Sequence, residues 1–266
     1  MRRPVEPLVS CVMVTRNRRS LAERAVHCFA QQTWHRRELV IVDDGDEDYA
    51  PMLARYIEAG AVIRYHRIES NPEVLLGGLR NLSLDLAEGE LCIQWDDDEW
   101  YAPDRIERQA SVIGDGAAVA LRWTLMSVHS PTRGRLAFRS DAGIATPGTV
   151  LHRRDAARYP NLRRGEDSAF LRDLRCGGLT VLGAEASHLF VRCFHGDNTW
   201  NEHHFVRRLR RRPVDWPSYA MASWVHRDLR RHRAFHLHEA ELRCIHDLDH
   251  YDATVSQTLA EDGRRG

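Results

Sequence analysis

Residues 91–105 read LCIQWDDDEWYAPDR, and this stretch decides the fold. Four apolar or neutral residues and a tryptophan run straight into Asp96, Asp97, Asp98 and Glu99. The run is the right length for a buried strand, and the acids fall where that strand must end. Adjacent carboxylates raise one another's pKa unless a cation or full solvation relieves them. Hard divalent cations such as Mg²⁺ take oxygen from one or two carboxylates and leave positions for phosphates. A solvated acidic turn is the ordinary fate of a charge run. Here the bulky Trp95 and Trp100 flank the acids and favour a metal seat. On an extended chain Asp96 and Asp98 point to the same side.

Working outward, the segments on the N-terminal side alternate. LVSCVMV (8–14) is β-rich and is broken by TRNRRS. From Ser20, the expected N-cap, Leu21, Ala25, Cys28 and Phe29 recur at helical spacing. ELVIVDDGD (38–46) is a strand ending in acids and Gly45. A helix is predicted over 50–59, a strand over 61–67, and a helix over 77–89 stopped by Gly89 at C′. Strands separated by helices imply right-handed βαβ units in a mostly parallel α/β sheet flanked by helices. Ligands of such sheets bind beyond the carboxyl ends of the strands, where TRN, DDGD and DDDE all fall.

On the C-terminal side the pattern loosens. A helix is expected over 104–114. AAVALRWTLMSV and GRLAFR flank HSPTRG as a hairpin. TPGTVLHR, LTVLG and HLFVRCF read as strands, with a helix opening at GEDSAFLRDLR. From 213 the tail reads as helical, with one stripe of Met221, Trp224, Val225 and Leu229 and another of Leu237, Cys244, Ile245 and Leu248, both expected to pack in a core. The chain is expected to divide at 105 and 212, into two halves of one domain (1–105 and 106–212) and a helical C-terminal extension (213–266).

Composition narrows the class. Net charge is zero and all 38 basic residues are arginine, so no global field points to nucleic acid. The six cysteines stand singly with no CxxC pair, which favours a reducing cytosol. No stretch approaches the ~20 apolar residues of a membrane span, and the N-terminal apolar run is too short for a signal sequence. A cytoplasmic protein is expected.

Each further candidate has a plain reading beside a functional one. Asp43 and Asp44 could merely end a strand, or one could accept a hydrogen bond from a nucleobase. Arg80 could face solvent, or reach a base or diphosphate. Glu166 and Asp167 could be first-turn acids favoured by the helix dipole, or one could be a general base. His195 could be a structural hydrogen-bonder, or, beside Gly196, approach a metal or phosphate. His246 and His250 share a helix face, but no complete ligand set accompanies them.

Taken in order, VSCVMVTRNR, LAERAVHCFAQQTW, ELVIVDDGD, GGLRNLSLDLAEGELCIQWDDDEWYAPDRI and GEDSAFL resemble the family 2 type of GT-A glycosyltransferases over about residues 8–200. The resemblance implies a Rossmann-like GT-A fold and transfer of a sugar from a nucleotide-diphosphate donor, a UDP-sugar first, to an acceptor hydroxyl with inversion. It implies a uridine pocket from Val14, Thr15, Arg16 and Asp43 or Asp44, with Arg80 near the base and phosphate. Asp96, Asp97 and Asp98 match the D-x-D motif, with Asp98 the direct ligand of Mn²⁺ or Mg²⁺ and Asp96 beside it. Asp167 matches the catalytic base, with Glu166 its neighbour. His195 and Asn198 match a loop that closes over the diphosphate, His195 being a further metal candidate. The acid after DDG, where the family has Ser, departs from the pattern, and 115–165 matches no acceptor class. A retaining enzyme and a sugar-nucleotide nucleotidyltransferase are the competing readings. The latter lacks a Gly-rich, basic loop after the first strand. The tail helices could cap an acceptor site, form a homodimer contact or rest on a membrane.

Overall fold

The structure, a computed structural model, describes residues 6–130, 134–196 and 202–265. In chain order its first elements are β1 (Val9–Thr15), α1 (Arg19–Ala30), β2 (Arg37–Asp43), α2 (Ala50–Glu58), β3 (Ile63–Arg67), α3 (Leu76–Leu86) and β4 (Leu91–Gln94). There follow β5 (Trp100–Tyr101), α4 (Arg105–Ala110), β6 (Ala118–Leu121), β7 (Trp123–Ser130), β8 (Gly134–Asp141) and β9 (Leu151–Arg153). The chain continues with α5 (Glu166–Cys176), β10 (Leu179–Leu182), β11 (Phe190–Phe194), α6 (Glu202–Val206), α7 (Trp216–Ala220) and α8 (Glu239–Arg265).

Two compact units result. The first comprises residues 1–122 and 142–186, the second 123–141 and 187–266. The boundaries read from sequence, 105 and 212, follow ligand logic. The units follow packing.

The first unit is built on a seven-stranded sheet in the order β10-β6-β9-β4-β1-β2-β3. β1 pairs in parallel with β2 and β4, β2 with β3, and β10 with β6; β9 alone runs antiparallel between β4 and β6. β1, β2 and β4 are buried almost throughout, as the unbroken apolar runs require of strands covered on both faces. Register then positions the site. Thr15 lies opposite Asp43, and Val12 lies opposite Gln94. The carboxyl ends of β1, β2 and β4 thus stand side by side. The α/β, mostly parallel architecture expected from the βαβ pattern is the one observed.

Local details differ from the sequence reading. α1 begins at Arg19 with Arg18 at the N-cap, so Ser20 sits inside the first turn. Arg18 is fixed instead by its amide donating to Tyr49 Oη at 2.6 Å. α3 ends at Leu86 because Ala87 is extended, and Gly89 is not a left-handed cap. Gly89 is required for space: a Cβ there would lie 2.7 Å from the Leu8 carbonyl oxygen and 2.8 Å from the Ser10 nitrogen. The run 117–128 is two strands. Its break is Arg122, whose amide bonds Leu182 O and whose carbonyl accepts from Ala142 N.

In the second unit β7 pairs antiparallel with β8 from Trp123↔Asp141 to Ser130↔Gly134, the hairpin expected around HSPTRG. β11 adds in parallel to β7. Met126, Val128, Leu136, Phe138, Phe205 and Leu209 form its core. Cys244, Ile245 and Leu248 of α8 are buried as expected. Of the 221–229 stripe, Leu229 packs against this core and the other three residues do not. Met221, Trp224 and Val225 are 50, 69 and 64 % exposed. At the same place α7 passes into a π turn at Met221–Val225, with His226 N bonding Met221 O. Among the described residues no helix is long and apolar enough to cross a membrane.

Candidate active site

The site lies along the carboxyl edge of the first unit's sheet. At the β1–β2 end, Thr15 Oγ1 donates to Asp97 Oδ2 at 2.7 Å and lies 3.3 Å from Tyr49 Oη. Asp43 accepts from Tyr65 Oη at 2.7 Å and from the Gly45 amide at 2.9 Å. Asn17, in the left-handed region at φ 51°, accepts from the amides of Asp46 and Glu47 and so ties the TRN turn to the DDGD turn. Arg16 pairs loosely with Asp44 at 3.5 Å. Burial pushes the Asp44 carboxyl above its usual range, and Arg16 opposes that shift. Val14, Thr15, Arg16, Asp43 and Asp44 are therefore neighbours at this edge.

At the β4 end the acids divide. Residues 97 and 98 form a turn rather than an extended chain. Even so, exposure alternates: Asp96 and Asp98 side chains are 22 and 18 % exposed, while Asp97 is 7 % exposed. Asp97 turns inward to Thr15, and Arg18 lies 3.5 Å from Asp97 and 3.3 Å from Asp98. Arg24 donates to the Asp98 carbonyl at 2.6 Å and fixes the turn. Burial, then the Asp98 charge, pushes Asp97 up to about 7.

Asp96 faces the other way, toward Arg80. Arg80 Nη2 lies 2.9 Å from Asp96 Oδ1, and its Nε lies 3.4 Å from Asp167 and 3.5 Å from Glu166. Its guanidinium sits 5.6 Å over the Tyr159 ring, which stacks on Phe170 at 3.8 Å. Burial alone would depress Arg80, but Asp167 and Asp96 hold it charged. Asp96 is raised by burial, with Arg80 opposing and Asp167 and Asp98 adding to the shift. Glu166 is pushed up to about 7, first by burial and then by Asp167.

Local sequence explains the convergence. A Cβ at Gly77 would sit 1.8 Å from the Pro160 carbonyl oxygen, so only glycine lets α3 lie on that segment. Asn81 and Tyr159 exchange two side-chain-to-backbone bonds at 2.8 and 2.9 Å. α3 is thereby held where Arg80 meets the first turn of α5, which opens after Gly165 at φ 83°.

Sequence reasoning missed several residues of this cluster. Gln94 is buried and donates to both Asp96 oxygens at 3.1 Å and to Asp167 at 3.5 Å, while Tyr159 donates to it at 3.4 Å. A polar residue closing an otherwise apolar strand was the available signal. Arg105 is fully buried, stacks on Trp95 and Tyr101 at 5.1 and 4.6 Å, and donates to the Gln94 carbonyl at 3.0 Å. Gly148, at φ 85°, approaches so closely that a Cβ would meet Asp96 Oδ2 at 3.2 Å. Of the remaining candidates, His195 follows β11 in the second unit, and Asn198 lies outside the described residues.

The donor set of Asp96 and Asp98 suits a hard divalent cation: two partly exposed carboxylates, with Asp98 adding to the repulsion that raises Asp96. Among the described residues no three His, Cys, Asp or Glu side chains form a complete ligand set. An ion here would take its remaining oxygens from a substrate or water.

Comparison with known proteins gives concordant results. The profile described as glycosyl transferase family 2 matches residues 10–162. WcaA of Escherichia coli (strain K12), named as a candidate colanic acid biosynthesis glycosyl transferase, is 33 % identical over 100 residues, 38 % of this chain and 36 % of its own. EpsH of Bacillus subtilis (strain 168), named as a candidate glycosyltransferase, is 27 % identical over 115 residues, 41 % of this chain and 31 % of its own. The matches thus span about a third of each curated relative. Among solved structures, S. aureus TarS 1-349 in complex with UDP-GlcNAc superposes with a TM-score of 0.57 at 19 % identity, covering 72 % of this chain and 60 % of that one. Its complex with UDP gives 0.55 at 17 % identity, covering 81 and 72 %.

Proposed function

The chain belongs to glycosyl transferase family 2, and on that premise we propose that it moves a sugar from a UDP-sugar donor to an acceptor hydroxyl with inversion at C1. The observation that carries this reading is the pairing of one buried guanidinium, Arg80, with both Asp96 and Asp167. It joins the residue proposed to face the diphosphate to the residue proposed to accept a proton. The two TarS complexes, with UDP-GlcNAc and with UDP, support the choice of uridine.

In this reading the uracil meets Asp43 or Asp44 beyond β2, with Val14, Thr15 and Arg16 along its ribose side. Asp97 holds Thr15 and Arg18 in place. Asp96 and Asp98 would hold Mn²⁺ or Mg²⁺, which when bound supplies Lewis-acid stabilisation of charge on the leaving diphosphate.

Asp167 acts as general base. Its exposure supports this choice over Glu166: the Asp167 side chain is 26 % exposed, against 4 % for Glu166. The acceptor O–H proton passes to an Asp167 carboxylate oxygen as the acceptor oxygen bonds C1. The C1–O bond to the diphosphate breaks on the opposite face, and the electron pair leaves with UDP. Arg80 and Gln94 orient Asp167 and Asp96 together.

A thermal-shift panel of UDP-, GDP- and dTDP-sugars with Mn²⁺ tests the donor. Stabilisation by the uridine compounds is expected, and preference for another base would overturn the uridine pocket. Pyrophosphate release from UTP and a sugar phosphate would instead identify a nucleotidyltransferase. The anomeric configuration of the product, read by NMR, tests inversion.

A further inference from the structure

A second site lies wholly within the second unit. Arg139, Arg208, Arg212 and Arg233 line one cavity of about 300 Å³, beside β8 and the turns at 208–215 and 232–234. Two carboxylates also line it, and both are engaged: Asp141 with Arg212, and Asp215 with Arg233. Arg139 is held from outside the cavity lining by Glu241, at 2.7 and 3.0 Å. Glu241 is itself saturated, since it also accepts from Ser187 Oγ and the His238 amide.

That leaves Arg208. It has no carboxylate partner among the described residues, and its charged neighbours are Arg192, Arg211 and Arg207. Burial first and these three charges second push its guanidinium down to about 10. Folding has gathered like charges around a partly buried cation and supplied no counter-ion from the described chain.

An independent observation points the same way. His232 lines the same cavity and is 1 % exposed. Its Nδ1 accepts from the Ala234 amide at 3.1 Å, which places the ring proton on Nε2. Nε2 is buried and outside good hydrogen-bond geometry, with only a weak contact to the Asp215 backbone. A buried donor so poorly satisfied calls for an explanation.

We propose that this cavity binds the phosphate group of a phosphorylated small molecule, with Arg208 as its ion-pair partner and His232 Nε2–H as a second donor. Guanidinium matches phosphate oxygens in a two-pronged geometry. A cavity of this size stands at the lower end of small-molecule sites, ~300–1,000 Å³. It therefore has room for an ester as well as for a bare phosphate ion.

The test uses the full chain in EDTA, so that no divalent ion supports phosphate binding at the Asp96–Asp98 edge. Inorganic phosphate is titrated against chloride of equal ionic strength, with melting temperature and calorimetry as readouts. Saturable stabilisation by phosphate is expected. In Arg208→Gln, binding weakens by about tenfold or more. The same substitution leaves the melting temperature without phosphate equal or higher, because it removes a repelled cation. Arg208→Lys serves as a second variant and retains part of the binding. Asp96→Asn and Asp98→Asn bind phosphate as the parent chain does, which separates this site from the donor site. Stabilisation no greater than with chloride, or equal in Arg208→Gln, overturns the proposal.

A soluble ester and a lipid headgroup offer the same oxygens. Competition by glycerol 1-phosphate identifies the soluble source. Sedimentation with phosphatidylglycerol vesicles, lost in Arg208→Gln, identifies the headgroup.

Discussion

Arg80 Nη2 and Asp96 Oδ1 face each other at 2.9 Å across the carboxyl edge of the sheet, with the arginine side chain 8 % exposed. Asp167 and Glu166 crowd the same guanidinium. Arg80→Leu leaves three carboxylates without their shared cation, and breaking such a buried pairing costs about 3–5 kcal/mol. The expected result is a marked fall in urea midpoint with turnover abolished. Arg80→Lys keeps the charge but not the fork, so it recovers stability more fully than activity. A Leu variant as stable as the parent would remove Arg80 from its organising role.

Asp167→Asn removes the proposed base while keeping shape. Turnover should fall by about 10²–10⁴-fold, with UDP affinity by calorimetry unchanged. Glu166→Gln should lose far less, since that side chain is almost wholly enclosed. The reverse order would exchange the two roles.

Chelation should stop sugar transfer, and Mn²⁺ or Mg²⁺ should restore it. Asp98→Asn should abolish the extra thermal stabilisation that Mn²⁺ gives to the UDP-bound chain, a readout independent of catalysis. Full transfer in EDTA would sink the metal proposal.

His152 provides a pH prediction. It is fully buried on β9, its Nδ1 lies 2.8 Å from the Arg153 carbonyl oxygen, and burial pushes its pKa from 6.5 down to about 4. The folded chain keeps the ring neutral while the unfolded chain protonates it below pH 6.5. Stability from this group is therefore complete above pH 6.5 and lost as pH falls toward 4, by about 1.4 kcal/mol per unit. Relative to His152→Leu, the parent should lose about 3 kcal/mol over that window. Parallel pH profiles of the two chains would refute it.

Thiol chemistry tests burial directly. Cys176 is exposed, whereas Cys11, Cys28, Cys92, Cys193 and Cys244 are buried, with burial pushing Cys92 up to about 12. An aromatic disulfide reagent should titrate one thiol per folded chain at once and all six after denaturation.

The order of strands, the parallel sheet and the carboxyl-edge turns were legible because unbroken apolar runs and their acidic or glycine ends are local signals. The neighbourhood of Thr15 and Asp43 follows from the same pattern, since parallel register aligns strand ends. What joins Arg80 to Asp167 was not legible. It depends on Gly77 fitting against Pro160 and on Asn81 clasping Tyr159, contacts between segments far apart in sequence. The exposure of Met221, Trp224 and Val225 escaped for a different reason: an apolar stripe at helical spacing does not say whether the fold supplies a surface to cover it.

The chain passes between its two compact units at 122, 141 and 186. Exchanging the second unit with that of a relative would consequently need two grafts, the 123–141 hairpin and everything after 186. A single crossover after residue 122 would separate β6 from β9 and β10, its partners on either side. Recombination at one point is thus poorly suited to reshuffling this protein, and paired crossovers flanking the hairpin and the tail are the route that keeps both units whole.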